Sequence, residues 1–596
     1  MSRILLLVGV SAAGFFFLLT GYGRKKFSDF FALEVHPLNF AVFRFTLFLT
    51  LFLQARFMNP LWFNQIPAEL LAPPWGLGWV VSYLPMDQTL LIVSYLAFLF
   101  FCITGMIGFF SRTSAFFVTV LGLFVIGVSQ MYGKLNHDHH ILWFSALLAC
   151  SRSADMFSFD AIFSAFRRAD QGRIEPPERS KIYGTPVAFI LLLIGILYFF
   201  PGFWKIWQSG IEWIWGDNLK FQLYMKWIEY PDWTPFFRID QHVVLMRLVA
   251  LATVLFELSF LFFLFFPKLR MWQGLAGSAF HNGTYSFMRI PFWQLQTCYV
   301  IFFDWDRIFR GIGRVLFPET MYVVYDGNCK LCRRTIAAIR VFDIFGRIEY
   351  VNALDSTSLG IHPLAKIDRE ALLKDMHVVT GKKVWRGYNS YRALTWRIPL
   401  FWLALPFLYV CPVTSLGNWI YRRIADFRTC PVSTPPSTKQ GKDRDGRSLE
   451  NRALLVLGCF LIAINSWFGI QDIHSWPFSV YPAFKYIIGD ERLTVRIEAE
   501  DANGTVLLVN EKEFRKKLTS SRWQAFLSNA LKIQDPEKQR VYLKALWKFC
   551  VANDSHLREV RSIRFYRVVL TGNPSRRALN PLSRELLFQW DDPPRL

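Results

Sequence analysis

The chain lacks the basic repeats and the RNA- or DNA-binding motifs that would accompany nucleic-acid binding, although its net charge is +22. We therefore expect no nucleic-acid partner. Charged residues are also few, at 19%, whereas apolar residues make up 53% and aromatic residues 17% of 596 positions. This composition indicates a polytopic membrane protein with basic cytoplasmic loops, and the length allows several domains.

Cysteine is sparse and irregularly placed. The nine cysteines are odd in number and scattered, and four of them lie within apolar runs. This pattern excludes the disulfide framework of a small secreted protein. Only Cys329 and Cys332 have an informative spacing.

Apolar runs predict the membrane spans. A further run at residues 4–21 is followed by Arg24-Lys25-Lys26 and not by a small-residue cleavage site, so we interpret it as a retained anchor. The spans at 139–151 and 291–304 are short for a bilayer, which predicts tilted, broken or extended segments. The candidate spans are 40–56, 88–110, 114–131, 139–151, 187–206, 243–266, 271–287, 291–304 and 452–470.

Loop charges set the orientation. If Arg24–Lys26 lies in the cytoplasm and every span crosses once, most loop lysines and arginines fall on the inner side. The segment after residue 320 is then cytoplasmic, and the segment after the span at 452–470 is extracytoplasmic.

Three ionisable groups approach the outer face in this topology. They are His137, within Asn136-His-Asp-His-His140, Lys205 at the end of a span, and His281 late in another span. Ionisable groups at membrane depth are costly and often functional, and a desolvated lysine can act as a base. Each group alone has a structural or metal-binding alternative. Lys205 could extend to the lipid headgroups, and His281 could be a packed, hydrogen-bonded residue. The histidine cluster could bind a metal, but its histidines lack the spacing of metal ligands on a helix. We expect no metal.

A dithiol motif, Asp326-Gly-Asn-Cys329-Lys-Leu-Cys332, follows a strand-like run and opens a helix-like run. Two thiols one turn apart at a helix start suit thiol–disulfide exchange, because the helix N-terminus stabilises the thiolate of Cys329 and Cys332 can resolve a mixed disulfide. Zinc is the alternative for a CxxC pair, but a second pair at similar spacing is missing. A charged Asp326 close to Cys329 would raise the pKa of the thiol.

Residues 22–315 resemble the vitamin K-dependent gamma-carboxylase-like (HTTM) membrane domain. The resemblance rests on Asn136-His137, on Tyr198-Phe-Phe-Pro-Gly-Phe-Trp-Lys205, on the run that starts at Glu257, and on Phe280-His281. It implies a quinol-binding site at the outer face, with Lys205 as the base, His137 assisting, and vitamin K or another quinol as the cofactor. The family segment carries two consecutive lysines where this chain has Trp204-Lys205, and the large lumenal substrate-binding region has no counterpart here.

Residues 321–430 resemble the DCC thiol–disulfide oxidoreductase family, whose D-x-x-C-x-x-C pattern is present at Asp326, Cys329 and Cys332. A strand at 348–352, a hairpin around Gly381 and later helices give the element order of a thioredoxin-like sheet. No proline directly precedes Met376, where thioredoxins carry a cis-proline.

The expected fold is a multi-pass α-helical membrane domain, a thioredoxin-like α/β domain, one further transmembrane helix and a small α+β C-terminal domain. The functional hypothesis is an integral membrane oxidoreductase that combines the dithiol with a site for a quinone-like molecule. Its partners are the bilayer and a thiol or disulfide protein, and the alternative is a non-catalytic scaffold or transporter. The domains are predicted at 1–21 (anchor), 22–315 (HTTM-like), 321–430 (DCC), 431–451 (flexible linker), 452–470 (membrane helix) and 471–596 (α+β).

Overall fold

The computed structural model describes residues 20–591 and 593, apart from 84–86, 231–232, 356–366, 382, 427–443, 482, 510–513, 515–516 and 575–580. Residues 1–19 of the predicted anchor and residues 431–443 of the predicted linker therefore lie outside the described residues.

We label the helices of eight or more residues in chain order. The membrane region contains α1 Gly21–Phe31, α2 Pro37–Phe57, α3 Gln88–Ile107, α4 Ser111–Val125, α5 His140–Ala149, α6 Phe159–Asp170, α7 Lys181–Ser209, α8 Asn218–Ile228, α9 Val243–Phe263, α10 Arg270–Met288 and α11 Trp305–Leu316. The later helices are α12 Lys330–Arg340, α13 Tyr388–Thr395, α14 Cys411–Asp426, α15 Arg444–Gln471, α16 Ser520–Lys532 and α17 Pro536–Asn553.

Six helical segments of the described residues are long and apolar enough to cross a membrane: α2, α3, α4 with its continuation to Gln130, α7, α9 and the part of α15 from Asn451. The chain is thus a multi-pass membrane protein. The helix α15 begins at Arg444, within the predicted linker, because no proline occurs after Pro436 to stop a helix there.

The predicted span at 291–304 is broken, with a short α-helix at Trp293–Gln296 followed by a 3₁₀ helix at Thr297–Phe302. It still runs from one end of α2 to the other. Near its start, Gln294 donates a hydrogen bond to Gln54 at 2.7 Å, and after its end Asp304 accepts one from Asn39 at 3.3 Å. Five of its residues, Leu295, Cys298, Tyr299, Ile301 and Phe302, are buried in the protein, which is where a broken segment is tolerated at membrane depth.

The helix α7 is the central element of the membrane region. Its 29 residues span about 42 Å at the helical rise. Near its first turn, Tyr183 donates a hydrogen bond to Asp155 at 2.7 Å, and at its last residue Ser209 donates one to the carbonyl of Lys485 at 2.7 Å. Asp155 lies just before α6, so the first contact joins the N-terminal end of α7 to the region of α6. Lys485 lies just before the strand Glu491–Asp501, so the second contact joins the C-terminal end of α7 to the segment that leads into the C-terminal domain.

A four-stranded sheet follows the membrane region, with β1 Met321–Tyr325, β2 Ile348–Asn352, β3 His377–Thr380 and β4 Lys383–Arg386 in the order β2-β1-β3-β4. The pair β1–β2 is parallel, and β3 is antiparallel to both of its neighbours. These directions are consistent with a thioredoxin-like sheet. The helix α12 docks this domain onto α6, where Arg334 forms two hydrogen bonds, of 2.8 and 2.6 Å, with Asp170.

The second sheet lies near the C-terminus, with strands β5 Glu491–Asp501, β6 Val506–Leu508, β7 Val560–Thr571 and β8 Ser583–Asp591 in the order β6-β5-β7-β8. Together with the helices α16 and α17, these strands agree with the small α+β domain that the sequence predicts here. The strand β8 is an addition that the sequence analysis did not predict. It pairs antiparallel to β7.

Candidate functional site

The dithiol lies where β1 turns into α12. Cys329 is the N-cap residue of α12 and is buried, at 3% exposure, whereas Cys332 in the first turn is half-buried. The turn is held by local hydrogen bonds. The carboxylate of Asp326 accepts one from the backbone N–H of Asn328 at 2.9 Å, so the predicted supporting residue has a structural partner in the turn.

Cations surround the start of α12. The guanidinium of Arg333 donates to the carbonyls of Gly327 and Asn328 at 2.8 and 3.1 Å, and Lys330 lies 3.6 Å from Asp170. Positive charge next to a helix N-terminus is the setting in which cysteine thiolates are stabilised. The arrangement can therefore support thiol–disulfide exchange.

The second candidate site is an ion pair in the membrane region. The ammonium of Lys205 on α7 donates hydrogen bonds to both carboxylate oxygens of Glu257 on α9, at 2.8 and 2.7 Å. Lys205 is only 2% exposed and Glu257 is 6% exposed. Lys205 therefore points into the protein and does not snorkel to the headgroups. Glu257 belongs to one of the sequence motifs, but its contact with Lys205 was not predicted.

His281 lies beside a pair of tyrosines. Its Nε2 is 2.8 Å from the hydroxyl of Tyr198, which in turn contacts the hydroxyl of Tyr299. The Nδ1 of His281 is buried and has no hydrogen-bond partner among the described residues. An unpaired buried nitrogen of this kind is a candidate contact for a ligand.

His137 lies in the loop before α5. Its ring packs 3.6 Å from the ring of Tyr481 and 4.9 Å from that of Phe292, measured between centroids. Burial, and then the charge of Lys134, hold the pKa of His137 well below its usual value, so the ring is neutral near pH 7. The backbone N–H of Asn136 donates a hydrogen bond to the side-chain oxygen of Gln130 at 2.7 Å.

One cavity brings the three predicted groups together. Its volume is about 580 Å³, and His137, Lys205 and His281 all line it, together with Glu257. We call it the membrane cavity. The remaining lining is mostly aliphatic and aromatic, as expected for a site that holds an apolar molecule. Asn136 lines a neighbouring, larger cavity of about 1030 Å³.

Two other members of the histidine cluster, Asp138 and His139, have structural partners, whereas His140 lines the membrane cavity and its Nε2 is buried without a hydrogen-bond partner among the described residues. The carboxylate of Asp138 accepts hydrogen bonds from Gln54 and Gln130 at 2.6 and 3.1 Å, and His139 Nε2 is 2.6 Å from the carbonyl of Ser479. Within the described part of the chain, no group of three or more His, Cys, Asp or Glu residues is arranged to hold a metal.

Comparison with known protein families identifies the dithiol region. Residues 323–430 match the DCC1-like thiol-disulfide oxidoreductase family. This DCC1-like domain supports a redox role and agrees with the sequence analysis. No match to the HTTM family was found for the membrane region. No curated protein and no solved structure matched the chain.

Proposed function

We propose that this protein is a multi-pass membrane oxidoreductase whose working group is the dithiol of its DCC1-like domain. The observation that carries the proposal is the position of Cys329 and Cys332 at the start of α12, directly after β1, inside the segment that matches the family. The two thiols would give up two electrons and two protons as they close to a disulfide.

The exposure of the two sulfur-bearing residues suggests a division of roles. Cys332 is half-buried and lines a cavity, whereas Cys329 is buried. We therefore assign contact with the redox partner to Cys332 and closure of the disulfide to Cys329, which reverses the order expected from helix position alone. A partner has to reach the sulfur that it contacts, and this requirement favours the more exposed residue.

Single cysteine variants test the assignment in the full-length protein in lipid nanodiscs, with a soluble peptide disulfide as the probe. Cys329→Ser keeps the partner-contacting thiol and should accumulate a mixed disulfide with the peptide, detected by mass spectrometry. Cys332→Ser should accumulate much less. Cys411→Ser, at an exposed position outside the motif, is the matched control and should behave as wild type. Exchange that continues in the Cys329→Ser/Cys332→Ser double variant contradicts the proposal.

We propose, as a second activity, that the membrane cavity binds an apolar quinol-like molecule. The supporting observation is the convergence of Lys205, Glu257, His137 and His281 on one apolar chamber. A quinol bound there would supply reducing equivalents. The aliphatic and aromatic walls would hold its ring, and the unpaired Nδ1 of His281 would hydrogen-bond a ring oxygen.

The residues of the chain would hold and move a proton. Glu257 neutralises the ammonium of Lys205, and its carboxylate oxygens lie 2.8 and 2.7 Å from Nζ, close enough to receive a proton from it. Lys205 can act as the predicted base when this proton moves to Glu257. Burial keeps His137 neutral, so it would assist as a neutral ring that hydrogen-bonds the bound molecule.

Ligand binding tests the second activity independently of turnover. A photoreactive vitamin K analogue should crosslink to peptides from α7, α9 or α10 in nanodiscs, and unlabelled vitamin K should compete. Ala279→Trp, which fills the lining, should reduce the yield, whereas Val244→Trp on the exposed face of α9 should not. Labelling that is equal in both variants excludes the cavity as the site. A scaffold or transporter, the alternative from the sequence, predicts neither crosslinking nor dithiol exchange.

The DCC1-like domain is proposed to face the cytoplasm and the C-terminal domain to face the opposite side. Loop charges support this orientation, and so does the docking of the two domains at opposite ends of α7. Protease protection in sealed vesicles tests it.

A further inference from the structure

A second apolar cavity, of about 400 Å³, adjoins the dithiol. We call it the thiol cavity. It lies between the sheet, α12 and α14, and it is lined mainly by apolar and aromatic groups. Lining residues from α12 include Cys332 and Thr335, and those from α14 include Gly417, Ile420 and Ile424. Because Cys332 lines it, any molecule bound there can reach a reactive sulfur.

The wall made by α14 belongs to an apolar helix pair. The segments Pro399–Leu408 and Cys411–Asp426 together are long and apolar enough to cross a membrane, but they are bent by 110° at their junction. Large side chains project from the pair: Leu403 is 88% exposed, Phe407 66% and Trp419 57%. An exposed apolar surface of this kind indicates contact with another protein or with a membrane.

The bilayer is the cover that the structure favours. The DCC1-like domain is docked on one end of the membrane helices, and the chain re-enters the membrane in α15 shortly after α14. Arginines stack on the aromatic rings of the pair, with Arg392 over Tyr409 and Arg423 over Trp419. Exposed apolar residues, aromatic rings and arginines are the composition of a helix that lies in the membrane interface.

The backbone N–H and carbonyl of Met376, near the dithiol, already have hydrogen-bond partners within the protein. An extended peptide substrate would gain affinity by pairing its main chain with free backbone groups of a strand. Here the N–H of Met376, the residue before β3, donates to the hydroxyl of Tyr421 on α14 at 3.1 Å. The carbonyl of Met376 accepts from the N–H of Gly387 at 3.0 Å and from the hydroxyl of Ser390 at 2.9 Å. The backbone at the start of β3 therefore suits a small molecule better than a peptide.

We propose that the thiol cavity binds a lipid-soluble quinone from the bilayer and that the dithiol reduces it. The thiolate of Cys332 adds to the quinone ring. The thiolate of Cys329 then attacks the Cys332 sulfur, which breaks the carbon–sulfur bond and forms the disulfide. The quinone gains two electrons and the two thiol protons and leaves as the hydroquinone. This inference rests on the proposed dithiol function and names its substrate class.

The test uses the full-length protein in lipid nanodiscs, reduced, desalted and kept without oxygen. The probe is a 1,4-naphthoquinone that carries one isoprenoid unit. We expect one hydroquinone, measured by absorbance, for each disulfide between Cys329 and Cys332, measured by alkylation and mass spectrometry. Because the thiol state is read directly, the result does not depend on turnover.

Two variants fill the thiol cavity, Ile420→Trp and Thr335→Phe, and each should slow quinone reduction about tenfold, because the larger side chain occupies the space that the quinone ring needs. Leu416→Trp, on the same helix at a position outside the lining, should react like wild type. Thermal melting shows whether the variants fold. Unchanged rates in both folded cavity variants overturn the inference. A wild-type protein that reacts with the soluble peptide disulfide but not with the quinone also overturns it, and leaves the dithiol function standing.

Discussion

Lys205 and Glu257 form an ion pair between two membrane helices, with the ammonium 2.7 Å from a carboxylate oxygen and both side chains buried. Two charges at this depth are tolerated because each neutralises the other. The pair links α7 to α9 and lies on the wall of the membrane cavity.

Removing one partner of this pair should destabilise the protein strongly. Glu257→Gln leaves the ammonium of Lys205 buried without a counter-charge, and we expect a loss of about 3–5 kcal/mol. The double variant Lys205→Met/Glu257→Leu removes both charges and should recover most of the loss. Thermal unfolding in detergent measures both. A single variant as stable as wild type would show that the pair is not held in the membrane.

Gly202 is required for close approach of α7 and α9. A Cβ atom at Gly202 would lie 2.8 Å from the Cβ of Glu257 and 3.1 Å from the backbone nitrogen of Leu258. Gly202→Ala should therefore cost about 1–3 kcal/mol. Gly311→Ala is the matched control, because a Cβ at that helical position meets no atom within 4 Å. That change should be neutral or stabilising by about 1 kcal/mol, and equal melting shifts for the two variants would contradict the packing.

Asp138 should contribute more to the stability of the folded protein at acid pH than at neutral pH. Burial raises the pKa of Asp138 to about 6 from its ordinary 3.8, so the folded state binds a proton that the unfolded state has released between these values. The contribution of Asp138 to stability is therefore largest below pH 3.8 and is lost as the pH rises through 6.

Comparison with Asp138→Asn isolates this effect from the buried histidines, whose depressed pKa values act in the opposite sense. For example, burial lowers the pKa of His139 to about 4, so its contribution is lost as the pH falls through that value. Between pH 6 and 4, the melting temperature of wild type should rise relative to that of Asp138→Asn, by the equivalent of about 1.4 kcal/mol per pKa unit. A constant difference across this range would contradict the shift.

The helix pair Pro399–Leu408 and Cys411–Asp426 should contact lipid. A lipid with a photoactivatable acyl chain, incorporated into nanodiscs, should label peptides that contain Leu403, Phe407 and Trp419. Labelling of α3, whose side chains are partly exposed in the membrane region, is the positive control. The hairpin strand β4 is the negative control. Labelled α3 with an unlabelled helix pair would exclude the interfacial position, and crosslinks between two copies of the pair would indicate a dimer contact instead.

Local patterns were sufficient for much of this molecule. The dithiol motif between a strand and a helix predicted β1, α12 and the family of the segment, because the spacing of two cysteines at a helix start is a local constraint. The apolar runs predicted nine membrane spans, and six of them coincide with helices of the described residues that are long and apolar enough to cross a membrane. The runs at 139–151, 271–287 and 291–304 do not, and the last is broken, which is one of the three forms that its short length predicted.

Other features depended on long-range contacts and were not available from local sequence. Glu257 lies 52 positions from Lys205, and Tyr481 lies more than three hundred positions from His137, yet each pair is in direct contact. The difference in exposure between Cys329 and Cys332, on which the proposed order of attack rests, also could not be predicted from their spacing.

The amino-acid sequence by itself determined that this protein is embedded in a membrane and carries a DCC1-like dithiol, since hydropathy and motif spacing are properties of adjacent residues. Only the tertiary structure decided which groups share a cavity. The ion pair of Lys205 and Glu257 and the contact of Tyr421 with Met376 arise from the packing of segments far apart in the chain, because a buried polar group is costly unless it has a partner.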